Sequence, residues 1–360
     1  MRPVFAILMF LGVIILGCGC VQQGTDTIPA PPAPAVSTIG VPPATPSPLL
    51  TSPVTSTTLV TSAIPTPPPG MFIDTHAHIR PSSMSFDQVI QLMDRNNISR
   101  MIIMEPPGDM WISGAQPSSY GIPDARTKYP DRFSVLFSGE AGVMLYKAAK
   151  SNAYTHEEQK KFSDLLDQAL ASGNYQGIGE IGLRHLPPPG MPATYDITVP
   201  ADHPWLFIMS DAAAKYRVPL DIHLQAGDTD ITALERLLDH NPDAIIIWDH
   251  AGDHTQNMSP DTLRPLLAAH KNLYTSIKVR TGEKQGPGGI LKKDGVTLSE
   301  PWKQLITDYP DRFIIGTDVK LGIRPDEIRY VKDHTTVLSQ LPQDVAKKVA
   351  QENPRRIFRL

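Results

Sequence analysis

A (β/α)8 TIM barrel, an α/β fold, is what this sequence predicts for residues 71–360. Three observations predict it. Short apolar, β-branched runs alternate with helix-like stretches, the pattern of repeated βα units around a parallel sheet. Eight such runs follow one another along the chain. The stretch that carries them is close to the roughly 250 residues typical of such a barrel. An open doubly wound sheet is the alternative, but no Gly-rich phosphate loop follows the first run.

The runs are "MFIDTHAHI" (71–79), "MIIME" (101–105), "FSVLFSG" (133–139), "YQGIGEIGL" (175–183), "VPLDIHLQ" (218–225), "AIIIWDHAG" (244–252), "NLYTSIKV" (272–279) and "RFIIGTDV" (312–319). Helices are expected between them over Ser85–Asn96, His156–Ala171, Pro204–Tyr216, Ile231–Asn241 and Asp261–His270. An apolar content of 41% suits a packed core, and a net charge of −4 gives no bulk electrostatic case for a nucleic-acid partner.

The first 70 residues have a different character. "MRPVFAILMFLGVIILGCGC" carries one Arg and then an apolar run too short for a comfortable membrane span, as in a secretory leader. It ends in "ILGC", which resembles a lipoprotein cleavage box, so residues 1–17 are expected to be removed and Cys18 lipidated, with Cys20 as a second register. An uncleaved anchor helix is the alternative. Residues 18–70 are rich in Pro, Thr and Ser, with almost no charge or aromatic content, and read as a disordered tether. The expected location is the outer face of the cell membrane, held there by the lipid. The only two cysteines precede the tether, so the barrel region has no disulfide, no thiolate ligand and no cysteine nucleophile.

Alternate residues of a strand share a face, so Asp74, His76 and His78 point the same way. In a barrel that way is inward, at the C-terminal end where such folds build their sites. The pattern repeats: Glu180 in "GIGEIGL", His223 in "DIHLQ", His250 in "IWDHAG" and Asp318 in "IIGTDV" each follow an apolar run. Imidazoles and carboxylates together suit a divalent metal, Zn²⁺ first and Mn²⁺, Fe²⁺ or Co²⁺ next. The surplus of donors over one tetrahedral ion favours two metals per chain, bridged by Glu180. Taken singly, Glu180 has a simpler partner in Arg184, and Asp318 a simpler role as a helix cap. Asp249, next to His250, should face away from it and serve as a structural partner behind the barrel.

On these residues the sequence resembles the amidohydrolase superfamily, over nearly all of 71–360 including the terminal "ENPRRIF". "WDHAG" and "GTD" are similar to the amidohydrolase-related group, and "IGEIGL" looks like the glutamate strand of TatD-type metallohydrolases. The resemblance implies that His76, His78 and Asp318 hold the more buried metal and that His223 and His250 hold the second. It places Glu180 where other branches have a carboxylated lysine; no lysine stands at that point here. It also implies that metal-activated water is the nucleophile and that Asp318 moves its proton, with His250 a catalytic acid or an electrostatic group in single-metal relatives.

Rim residues should choose the substrate: Glu105 and Trp111 after the second run, His185, Tyr195 and His203 after the fourth, Lys278 and Arg280 after the seventh. Arg280 and His185 are candidates for contacting an anionic or carbonyl-bearing small molecule, with a surface carboxylate as the competing partner for Arg280. The function expected is hydrolysis of a small amide, ester or lactone. The competing readings are a non-oxidative decarboxylase with one metal, a TatD-like nuclease and a non-catalytic surface binding protein.

Overall fold

The computed structural model describes residues 71–105, 122–151, 154–186, 196–253, 258–280 and 288–360. The expectations for residues 1–70, Cys18 and Cys20 among them, fall outside the described residues, as do Trp111 and Tyr195. Within the described residues, no helix is long and apolar enough to cross a membrane.

In chain order the elements are β1 (Phe72–Ile79), α1 (Phe86–Arg95), β2 (Ile98–Met104), α2 (Pro123–Lys128), β3 (Phe133–Val135), α3 (Gly139–Ser151), α4 (His156–Ala171), β4 (Ile178–His185) and β5 (Ile197–Thr198). They continue with α5 (Pro204–Tyr216), β6 (Pro219–Leu224), α6 (Asp228–His240), β7 (Ile245–Ala251), α7 (Pro260–Ala269), β8 (Leu273–Ile277), α8 (Glu300–Asp308), β9 (Phe313–Ile315), β10 (Val319–Leu321), α9 (Val331–Leu338), α10 (Gln343–Lys347) and α11 (Asn353–Phe358).

The helices begin where the sequence supplies caps. Ser85 with Gln88 and Thr155 with Glu158 form capping boxes at α1 and α4. Ser259 caps α7, with Pro260 in its first turn. His203, expected on the rim, instead caps α5: its ring nitrogen accepts from the Trp205 amide at 3.2 Å.

The strands form a closed ring of parallel neighbours. β1 pairs with β2, and β2 with β3. The gap from β3 to β4 is bridged at Phe137↔Ile178, where the Phe137 amide donates to Gly177 O (2.9 Å) and the Gly179 amide to Phe137 O (3.0 Å). From β4 the ladder runs through β6, β7 and β8 to β9, and β10 returns to β1 at Ala77↔Val319. β9 and β10 are one run interrupted at residues 316–318, so the ring has eight members, as the eight apolar runs predict. β5 is an addition, a short antiparallel piece beside the end of β4.

Burial divides by strand parity. Met101 and Ile103 pack outward with the helices, whereas Ile102 and Met104 join Leu136, Ile247 and Ile314 in a second cluster inside the ring. Ile357 and Phe358 of α11 belong to that inner cluster and close it from below. Each such fully buried side chain contributes on the order of 1.5–3 kcal/mol. The Asn353 amide fastens α11 by donating to Pro310 O (2.8 Å) and Phe313 O (2.9 Å). The apolar cluster leaves the other end of the ring to polar groups.

Candidate metal centre

All six predicted ligands stand at that end, and the structure brings them together around Glu180. The first group gathers at Glu180 Oε2. The Nε2 atoms of His76 and His78 lie 3.3 Å apart, and each is 3.3 Å from that oxygen. Asp318 Oδ1 joins them, 3.3 Å from His78 Nε2 and 3.9 Å from His76 Nε2. The second group gathers at Glu180 Oε1, with His223 Nδ1 at 3.0 Å and His250 Nε2 at 3.3 Å. One carboxylate thus turns an oxygen toward each pair of imidazoles. Arg184, its simpler partner on sequence grounds, pairs with Asp230 instead.

The backbone makes this convergence possible. On β7, Ile247 and Asp249 hold the inward parity and Trp248 the outward one. His250 would follow Trp248 outward, but its φ of 70° turns the ring back into the pocket. Asp249 is therefore not behind the barrel, as the sequence reading had it. It lies inside, with Oδ2 3.1 Å from His76 Nδ1, at an angle short of a well-aligned hydrogen bond. Asp318 also sits at positive φ, 52°. Gly179 permits the crowding around Glu180: at φ 144°, an added Cβ would meet Asp221 Cβ at 2.6 Å and Asp221 O at 2.7 Å.

The opposite ring nitrogens decide which way the lone pairs point. His78 Nδ1 faces Met104 O at 3.1 Å and can only donate there, leaving Nε2 as the free acceptor. Asp249 stands 3.1 Å behind His76 Nδ1 and favours the ring proton on that side by its charge, the position from which a carboxylate supports a ligating imidazole. Two imidazole lone pairs and Glu180 Oε2 then face one another with no donor among them, and a cation satisfies such a set; Asp318 Oδ1 beside them accepts from Lys320. Protons are the alternative occupants. Burial disfavours the charged His76 ring, but the Asp249 and Glu180 carboxylates outweigh it and raise His76 well above its ordinary range. His78 is also raised: burial opposes, while Asp318 and Glu180 prevail. Glu180 is held well below the carboxylate range, with burial opposed by His76 and by hydrogen bonds from His223 and His250. His250 is pushed down to about 4 by burial and then by the nearby Lys278. Among the described residues, the donor sets able to hold a metal are His76–His78–Glu180, Glu180–His223–His250 and His76–Asp221–Asp249.

Asp318 has further company in Lys278, expected from the sequence on the rim, and in Lys320, which the sequence reading does not assign. Lys278 Nζ lies 2.8 Å from Oδ2 and 3.1 Å from Asp253 Oδ2, and Lys320 Nζ lies 2.5 Å from Oδ1. Burial would raise the Asp318 carboxyl, but the two ammonium groups reverse this and hold it well below its usual range. Asp221 was also missed. It occupies the inward position two residues before His223, 3.9 Å from His76 Nδ1.

The rim candidates divide. The His185 ring stands 5.5 Å from that of His223, beside the second group. Arg280 donates to the Thr317 and Asp318 carbonyls at 2.8 and 3.2 Å and stacks 4.3 Å over Tyr330, which braces the eighth strand from within. The Glu105 amide contacts Ser138 Oγ at 3.2 Å, and burial raises its carboxyl to about 7.

Residues 184–360 match the family model described as Amidohydrolase. That amidohydrolase match spans His223, His250 and Asp318 and leaves His76, His78 and Glu180 outside it. No curated protein matches the chain. Solved structures similar to it include a 2,6-dihydroxybenzoate decarboxylase (15% identity, 80% of this chain and 98% of that one, TM-score 0.49). A second is a putative amidohydrolase from Staphylococcus aureus (14%, 81% and 100%, 0.48). A third is an L-hydantoinase from Arthrobacter aurescens (13%, 80% and 70%, 0.45).

Proposed function

We propose that residues 71–360 form an amidohydrolase that binds two divalent metal ions, zinc first among them, and hydrolyses a small amide, ester or lactone. One observation carries the reading: the two oxygens of Glu180 face two separate pairs of imidazole nitrogens at 3.0–3.3 Å. When bound, such ions supply Lewis acidity, bringing water's pKa toward neutrality and polarising the bond under attack.

The chain's own residues divide the work. His76, His78 and Asp318 would hold one ion and His223 and His250 the other, with Glu180 offering an oxygen to each. Asp249 keeps the His76 lone pair pointed inward. Asp318 is the acid–base candidate by position, and the ammonium groups beside it make it a weak acceptor, suited to handing a proton on to the leaving group. His185 borders the approach to the second ion and is a candidate for orienting the substrate's carbonyl. The leader and tether read from residues 1–70 extend the proposal to a location, with catalysis at the outer face of a membrane and attachment through Cys18.

Elemental analysis of protein purified without chelator tests the metal count, and a panel of esters, lactones and amides tests the reaction. The expected result is two metals per chain, with Glu180→Gln losing at least one. Asp318→Asn should lower kcat by roughly 10²-fold or more. A single metal indifferent to Glu180→Gln, together with CO₂ release from an aromatic acid, would replace hydrolysis by decarboxylation. Equal rates for wild type and Asp318→Asn would remove catalysis altogether.

A further inference from the structure

Lys320 stands two residues beyond Asp318, and its ammonium lies 2.5 Å from Asp318 Oδ1. In the β1–β10 ladder it lies directly opposite His78, whose ring is part of the first ligand group. Its ammonium is consequently inside the mouth of the barrel, and its side chain is 24% exposed, against 12% for Lys278. Lys278 has two acidic partners, Asp318 and Asp253, so it keeps one whatever Asp318 does. Lys320 differs. Among the described residues its ammonium has a single acidic partner, Asp318 Oδ1, and otherwise reaches only the carbonyl of the same residue.

Asp318 Oδ1 is also the oxygen that faces His76 and His78. An ammonium 2.5 Å from that oxygen and a divalent ion on the same oxygen would stand within a few ångströms of each other and repel strongly in a buried setting. Loading the first ligand group therefore deprives Lys320 of its counter-charge while leaving it over the reacting centre, at the exposed edge of the pocket. Its stem is long enough to lift the ammonium outward by about one bond rotation. A positive charge in that position needs an anion, and the substrate is the group that can bring one.

We propose that the substrate carries an oxyanionic group, a carboxylate or a phosphate, beside its scissile bond, and that Lys320 binds it. The proposal rests on the metal-dependent reading above and narrows its substrate class: a neutral amide, ester or lactone is a poor substrate, and its acidic analogue a good one. Lys320 is then a specificity-determining residue, and Lys278 remains the fixed partner of Asp318.

The test is a titration that needs no turnover. Full-length, zinc-loaded protein is titrated calorimetrically with succinate, inorganic phosphate and neutral succinamide, for wild type, Lys320→Met and Lys320→Arg, with zinc content measured on each sample. Wild type should bind one of the two anions roughly tenfold or more tightly than succinamide, and which anion it prefers separates the carboxylate from the phosphate. Lys320→Met should lose about that factor at equal zinc content, and Lys320→Arg should keep most of it. Should Lys320→Met take up less zinc, the neutral Lys320→Gln is read in the same titration. Equal binding of anions and succinamide by wild type, or anion binding indifferent to Lys320 at full zinc content, would overturn the proposal. Substrate pairs differing only in a carboxylate or a carboxamide supply the kinetic counterpart through KM. Selective anion binding without hydrolysis of any panel member would sink the hydrolase reading alone. Hydrolysis indifferent to the carboxylate, with Lys320 inert in the titration, would sink this proposal alone.

Discussion

His76 is a side chain on which much of the site converges, because it touches both ligand-type and supporting residues. Its Nε2 faces Glu180 and His78, and its Nδ1 faces Asp249 at 3.1 Å. Removing the charge from that supporting carboxylate should weaken the metal and leave the fold intact. Asp249→Asn is expected to lower metal affinity by about 10–100-fold, measured by competition against a chromophoric chelator. Unchanged affinity would show that the His76 ring is held by packing alone. The six candidate ligands are legible in the sequence because each is a His, Asp or Glu near the C-terminal end of an apolar run. Asp221 is legible by the same rule, since it precedes His223 by two as Asp74 precedes His76. The place of Asp249 is not. Simple alternation separates neighbours on a strand, and nothing in "IWDHAG" announces that His250 adopts φ 70° and swings in beside it. Lys320 in "GTDVK" had the parity of Asp318 but not a ligand's chemistry, and only its 2.5 Å contact with Oδ1 gives it meaning.

The elements differ in how sharply local chemistry defines them. The predicted α4 and α5 coincide with the observed helices because Thr155–Glu158 and His203–Pro204 mark their starts. The strands shift by a few residues, since an apolar run does not say where pairing stops. The eighth run predicts one continuous strand, yet it splits at 316–318. There Thr75 Oγ1 donates to Ile315 O (2.7 Å), the Thr317 amide to Asp74 Oδ1 (2.9 Å) and the Asp318 amide to His76 O (2.8 Å). The seam that closes the ring is thus made partly by side chains, and strand propensity does not encode them. Two predictions belong to this scale. Gly179→Ala should destabilise the barrel by roughly 2–4 kcal/mol, because the added Cβ finds Asp221 backbone at 2.7 Å and the residue sits at positive φ. Urea denaturation reads this directly, and a loss below about 0.5 kcal/mol would contradict the geometry. The second concerns His334 on α9, which accepts from the Val279 amide at 3.0 Å and donates to Tyr330 O at 2.8 Å, tying α9 to the chain after β8. Burial lowers it from 6.5 to about 3. The folded state therefore binds fewer protons than the unfolded chain between those values, so this contribution is complete above pH 6.5 and is lost as pH falls toward 3. His334→Gln should flatten the acid limb of the stability curve; an unaltered limb would acquit His334.

For the molecule as a whole, a metal bound as proposed would compete with protons for the same atoms, and that competition would shape how stability depends on pH. In the metal-free protein His76 and His78 have raised folded-state values. A raised histidine contributes stability that is fully present below 6.5 and disappears as pH climbs through its folded value. The metal-free barrel should therefore weaken as the solution becomes alkaline, through a charge cluster around Glu180 that loses its neutralising protons. Metal binding has the opposite slope, because each imidazole must be unprotonated to ligate, and affinity rises as those protons leave. The melting temperatures with excess zinc and with chelator should consequently lie close together near about pH 5 and draw apart toward about pH 8. Zinc at about 100 times its dissociation constant contributes about 2.7 kcal/mol per site. At roughly 2–4 °C per kcal/mol for a domain of this order, one filled site should open a gap of about 5–10 °C. Thermal melts across that pH range, with and without chelator, measure it. A gap that stays constant would mean that zinc is held away from His76 and His78, and a gap that narrows toward alkaline pH would reverse the assignment of those imidazoles as ligands.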